Sequence, residues 1–139
     1  MEPARETNLS PLTKILTFAA AVELFAGLAL MIDPAIVATL LLGEDLPGAG
    51  TLVGRLFGIA IFALGLACWP PRLRAESSSP AFRAMLVYNA LIASCLFYVG
   101  AVGSVSGLML WPAVALHGAV ALLLLWTWRA KRRIMATNT

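Results

Sequence analysis

Residues 13–32 read TKILTFAAAVELFAGLALMI. Twenty residues at the helical rise make about 30 Å, the thickness of the hydrocarbon core of a bilayer. Beyond Lys14 the run carries one charge, Glu23. A stretch this long and this apolar is expected to cross a membrane as a helix.

Three further stretches have the same character: residues 50–69, 82–102 and 108–128. The expected fold is all-α, a polytopic membrane protein built as a left-handed bundle of four transmembrane helices. At 139 residues the chain has room for a single membrane domain, residues 1–139, with a basic cytoplasmic tail at 129–139. The connections are legible as well. Asp33-Pro34 ends the first span, because proline cannot continue a helix and aspartate caps the next one. Residues 35–42 are apolar but half the length of a span, so they are expected as a short helix in the outer interface. Gly43-Glu44-Asp45 and Pro47-Gly48 stop it. Pro70-Pro71 closes the second span, residues 72–80 read as a hydrated loop, and Gly103 to Gly107 makes a tight third connection.

The composition agrees. Sixty per cent of residues are hydrophobic and 12% are charged, against about 25% charged in a soluble domain. The pI near 9.3 reflects loop charge facing a membrane surface. No basic face with interleaved aromatics suggests nucleic acid as a partner; the expected partner is the lipid bilayer. With the N-terminus in the cytoplasm, Arg5, Lys14, Arg72, Arg74, Arg83, Arg129, Lys131, Arg132 and Arg133 fall on the cytoplasmic side. These are all the basic residues but Arg55. The outer connections carry Asp33, Glu44 and Asp45 and no base. The positive-inside rule then places both termini in the cytoplasm of a bacterial-type inner membrane. Trp69, Trp126 and Trp128 fall at the inner boundary and Trp111 at the outer one, where indoles prefer to sit. The acidic flank Asp33-Pro34, in place of a small-residue cleavage site, argues against a cleaved signal peptide.

Each span holds one conspicuous polar residue: Glu23, Arg55, Asn89 and His117. An ionisable group at the bilayer centre costs about 2.5–3.5 kcal/mol on insertion scales, so it should face the bundle interior with a partner. Glu23 and His117 fall near mid-depth, Arg55 in the outer half and Asn89 in the inner half. Small residues surround them: Ala19, Ala20, Ala26 and Gly27 share the face of Glu23. Gly50, Gly54 and Gly58 repeat beside Arg55 at four-residue spacing, with Gly65 beyond; such spacing lets helices approach closely in lipid. Around His117 the face continues through Ala113, Ala121 and Leu124. Two readings follow. One is a structural Glu23–Arg55 ion pair, extended by His117. The other is a protonatable site or a polar contact for a ligand. Tyr88 and Tyr98 are expected as packing or interface residues, and Cys68 and Cys95, inside apolar runs, as buried structural thiols.

Several chemistries find no support. One histidine and no carboxylate pair at mid-depth give no three-ligand metal site, so no metal is expected. A bis-histidine haem is impossible within one chain, whereas a single-histidine haem is compatible with it. No cofactor is otherwise indicated, and no catalytic residue can be assigned: there is no Walker motif and no GxSxG.

The stretch AAAVELFAGLALM at 19–31, with Glu23 in the middle of the first of four spans, resembles the small multidrug resistance transporters. In them a membrane glutamate exchanges protons for a cationic drug. The chain departs from that family in its strong charge bias, its sizeable outer segment and its third span. In outline it also resembles the DoxX-like group of small bacterial four-helix membrane proteins, some described as quinone oxidoreductase subunits. That resemblance rests on the outer segment after the first span and the glycine-rich start of the second with Arg55. Three functions are therefore expected as alternatives. The leading one is a non-enzymatic accessory subunit or binder of an apolar small molecule. The others are a proton-coupled transporter using Glu23, and a quinone-linked redox component with His117 and Arg55 on the head group. The chain is expected to act as a homo-oligomer or as a subunit of a larger membrane complex.

Overall fold

Three of the helices begin in the same way. Ser10, Asp33 and Ser79 each precede a proline, and each side chain accepts a hydrogen bond from the backbone N–H three residues on: Thr13, Ile36 and Phe82. Proline at the first helical position has no N–H to leave unsatisfied, and the cap satisfies one of those that follow. A computed structural model describes residues 10–69 and 79–137, the side chains of residues 131, 132 and 134–137 excepted. The connection expected at 72–80, with Pro70-Pro71, Arg72 and Arg74, lies for all but its last two residues outside the described residues, as does Arg5.

The described chain is all helical: α1 Pro11–Ile32, α2 Pro34–Leu42, α3 Ala49–Cys68, α4 Pro80–Ala101 and α5 Leu110–Thr137. Four of them, α1, α3, α4 and α5, are long and apolar enough to cross a membrane. The last helix runs beyond the expected end of its span at residue 128, although its apolar stretch stops at Ala130. The short α2 ends at Gly43, whose φ of +78° is left-handed and suits glycine.

The four long helices form two close antiparallel pairs, α1 with α3 and α4 with α5, which touch each other less extensively. The first pair meets backbone to backbone. A Cβ on Gly27 would lie 2.6 Å from the Phe62 nitrogen, and one on Gly58 2.8 Å from the Gly27 carbonyl oxygen. Gly65 is equally tight against Ala20 and Leu24, whereas Gly54 meets Pro34 and Gly50 meets only the Leu46 side chain. Of the expected packing residues, Ala19, Ala20 and Gly27 are thus buried on α1 with Ala26 half-buried, while Gly50 lies outside the helix–helix seam.

Between the pairs lies one hydrophobic core: Leu12, Leu16, Ala19 and Ala20 from α1, Cys68 from α3, Phe82 and Met85 from α4, Val120 and Leu124 from α5. It fills the end of the bundle where Lys14, Arg83, Arg129 and Arg133 are exposed, hereafter the basic end. Asp33, Glu44 and Asp45 lie at the other, acidic end. There the α4–α5 connection docks on α2: the Ser106 and Met109 N–H groups donate to the Leu42 and Leu40 carbonyls at 3.1 and 2.7 Å. These bonds satisfy carbonyls that the end of α2 would otherwise leave open. The outward faces are apolar; Phe25, Leu52, Leu91, Leu122 and Trp126 are all more than 60% exposed.

Candidate functional site

Immediately above the hydrophobic core, at mid-height, three of the four expected polar residues come together from three helices. Glu23 stands midway along α1 and is 1% exposed. Asn89 on α4 is equally buried. His117 on α5 places Nδ1 2.8 Å from Asn89 Oδ1 and 3.8 Å from Glu23 Oε1. Tyr88 completes the cluster with an edge-on contact to the imidazole, ring centroids 6.0 Å apart. Its hydroxyl faces the Glu23 carboxyl but outside hydrogen-bonding geometry.

Asn89 determines how His117 is protonated. Its Nδ2 donates to the Met85 carbonyl oxygen at 2.9 Å, and that oxygen can only accept. The amide oxygen is therefore turned to His117 and must receive a proton, so Nδ1 carries the hydrogen in the neutral ring. Nε2 is left as the atom that gains or loses a proton. It bonds to no described residue and is not among the sealed, unpartnered atoms. The His117 side chain is 13% exposed.

Glu23 has no such partner. Both of its carboxyl oxygens are buried and form no hydrogen bond. A buried carboxylate whose nearest donors, the Tyr88 hydroxyl and His117 Nδ1, stand outside hydrogen-bond geometry is costly. A bound proton removes that charge, and a positively charged or hydrogen-bonding guest would compensate it. The nearest basic group is the imidazole itself.

The expected Glu23–Arg55 pair does not form, and the register of α1 on α3 gives the reason. Pro34 packs on Gly54, Gly27 on Gly58, and Ala20 on Gly65. This places Arg55 level with Asp33, at the end of α1, and Glu23 level with Gly65. About ten residues of helix, or ~15 Å, separate the two side chains along the axis. Arg55 also lies roughly a third of a turn away from the buried face of Gly58, Ile61 and Gly65, and it is exposed. Asn89, by contrast, expected a turn or two below the others, is bonded to His117. Cys68 is buried in the core as expected, but Cys95 is exposed, because its run of apolar residues continues onto an outward face of α4. Tyr98 is 68% exposed. Among the described residues no three His, Cys, Asp or Glu side chains gather as metal ligands do.

Tyr88 is the member of the cluster that sequence reading set aside as packing. No sequence signal singles it out, since adjacent residues on a helix point about 100° apart. No family model, curated protein or solved structure matches the chain.

Proposed function

We propose that this chain is a polytopic protein of a bacterial-type inner membrane whose core holds an exchangeable proton on Glu23, and that it couples this proton to the movement of a small solute. α1, α3, α4 and α5 are the spans, α2 lies in the outer interface, and both termini are cytoplasmic. The segregation of exposed bases to one end and acids to the other, with apolar faces between, supports that orientation.

One observation carries the proton reading: a carboxyl 1% exposed, with neither oxygen hydrogen-bonded, beside an imidazole with an open Nε2. Arg55, the expected permanent cation, is too far away to compensate Glu23, and His117 at 3.8 Å does so only while it is protonated. A proton arriving at Nε2 gives the imidazolium, and the Nδ1 proton can then pass to Glu23 Oε1 once the 3.8 Å gap closes. That step leaves neutral Glu23 and a neutral imidazole protonated on Nε2, so charge and protons balance; the ring gives up its bond to Asn89 in this state and regains it when the proton returns to Nδ1. Alternation of Glu23 between charged and neutral forms is what a proton-coupled carrier requires. A chain of four spans works in this way as a homo-oligomer or within a larger complex.

The test is proton movement in proteoliposomes under an imposed pH gradient, followed with an internal pH-sensitive dye. Wild type carries protons in the presence of its solute, and Glu23→Gln folds but does not. Equal flux in the variant ends this reading. A second reading, a non-enzymatic binder of an apolar small molecule such as a quinone, is favoured by Nε2 of His117. This atom offers a hydrogen bond to a head group arriving from outside the cluster. A stoichiometric molecule released from gently purified protein would favour it.

A further inference from the structure

Among the described side chains, Arg55 is the one cation away from the basic end. It forms no ion pair with Asp33, although the two are level. The Asp33 carboxyl accepts from the Ile36 N–H at 3.1 Å, and Asp45 Oδ1 accepts from the Thr39 hydroxyl at 3.4 Å. The surface around Arg55 is apolar. Leu52 lies one turn toward the acidic end, and Ile59 and Leu66 follow on the same stripe of α3 toward the middle. All three are more than half exposed, at 61, 53 and 57%. Ala63 between them keeps the stripe shallow.

In the four-span arrangement the end of α1 at Ile32 marks the outer edge of the hydrocarbon layer. The guanidinium of Arg55, level with Asp33, is then at head-group depth. Below it runs ~16 Å of apolar helix surface, from Arg55 to Leu66. A soluble anion would satisfy only the charge. A second copy of the chain would have to bring a carboxylate of its own acidic end, Asp33, Glu44 or Asp45, onto Arg55, and the first and last of these already accept one hydrogen bond each. A phospholipid matches both parts at once, with phosphate above and an acyl chain below. Arginine offers its donors in a fork suited to phosphate oxygens.

We infer that Arg55, with Leu52, Ile59 and Leu66, binds one phospholipid of the outer leaflet, the guanidinium on its phosphate and an acyl chain along α3. The inference rests on the four-span reading and is independent of the proton site. It accounts for a charge on an outward apolar face by assigning it a partner from the bilayer.

The experiment is native mass spectrometry of the delipidated protein in detergent, with dioleoyl phosphatidylglycerol or dioleoylglycerol added at equal concentration. Wild type retains one phosphatidylglycerol per chain and does not retain the neutral lipid. Arg55→Lys keeps most of the binding. Arg55→Gln loses roughly tenfold in affinity, as expected for one charge-assisted hydrogen bond. Equal retention of both lipids by wild type overturns the inference without reference to any variant, as does undiminished binding by Arg55→Gln. Loss of an oligomer in Arg55→Gln, with no lipid on wild type, assigns the face to a second copy instead. A chain soluble without detergent defeats the four-span reading before any lipid is added.

Discussion

Asn89 holds His117 by a 2.8 Å hydrogen bond whose direction is forced, because the other end of the same amide is bonded to the Met85 carbonyl. The bond selects one tautomer and leaves Nε2 to exchange protons. Nitrogen-15 NMR of labelled histidine should show a single neutral tautomer protonated on Nδ1. In Asn89→Ala the spectrum should show both tautomers, and the fold should lose about 1 kcal/mol, the worth of one interhelical hydrogen bond. A wild-type ring protonated on Nε2 alone at a pH where Glu23 is ionised would contradict the geometry.

The register of α1 on α3 makes a prediction about pairs of substitutions. Glu23→Gln and Arg55→Gln should be additive in unfolding free energy within about 0.5 kcal/mol, because the residues share no partner. Glu23→Gln and His117→Ala should be coupled, by roughly 0.5–3 kcal/mol, as for groups in one cluster. Unfolding in mixed micelles measures both cycles. Strong Glu23–Arg55 coupling would show that the two helices pack in a different register.

The seam of the first pair depends on the absence of side chains. Gly27→Ala and Gly58→Ala place a methyl group against the backbone of the facing helix, so each should cost roughly 1–3 kcal/mol. Gly118 has open space where its Cβ would be. Gly118→Ala should be neutral or stabilise the helix by up to about 1 kcal/mol. Thermal unfolding in detergent separates the two outcomes, and equal effects at Gly58 and Gly118 would remove the distinction.

At the acidic end, the amides of Ser106 and Met109 should exchange slowly with deuterium, because they donate to the end of α2. A Cβ on Gly107 would run into the carbonyl group of Leu41. Gly107→Ala should therefore release both amides to fast exchange while leaving the core amides around Met85 and Val120 protected. Fast exchange at Ser106 and Met109 in wild type would mean that the connection does not dock.

Much of this organisation is legible in the sequence, and the exceptions have a common cause. The four long helices follow from uninterrupted apolar length, and the start at Pro34 from Asp33 before proline; Ser10-Pro11 and Ser79-Pro80 carry the same signal, but apolar length alone puts those two starts two residues late. That α2 is a short helix follows from its apolar run and its stops at Asp33-Pro34 and Gly43. Glu23 and His117 are brought near each other by their positions midway along their own helices. What sequence conveys poorly is how far one helix slides along another. Arg55 falls in the outer half when counted from the start of its own apolar run, near enough for its long side chain to be expected at Glu23. Contact of Pro34 with Gly54 shifts α3 toward the acidic end, however, so its first turn lies beyond the end of α1. Direction is also obscure in a helix that is apolar all round. Cys68 and Cys95 occupy similar surroundings in sequence, yet one faces the core and the other faces out. The docking of Ser106 and Met109 on α2 uses only backbone atoms and has no side-chain signature.

The central claim is that Glu23 exchanges a proton inside the bundle, and infrared difference spectroscopy across a pH titration tests it most directly. A buried carboxylic acid with weak hydrogen bonding should give a carbonyl band at low pH. As pH rises it should give way to carboxylate bands, and Glu23→Gln should lack it altogether. If no titrating carboxyl signal is removed by Glu23→Gln over the pH range in which the protein stays folded, Glu23 keeps one charge state and the account is wrong.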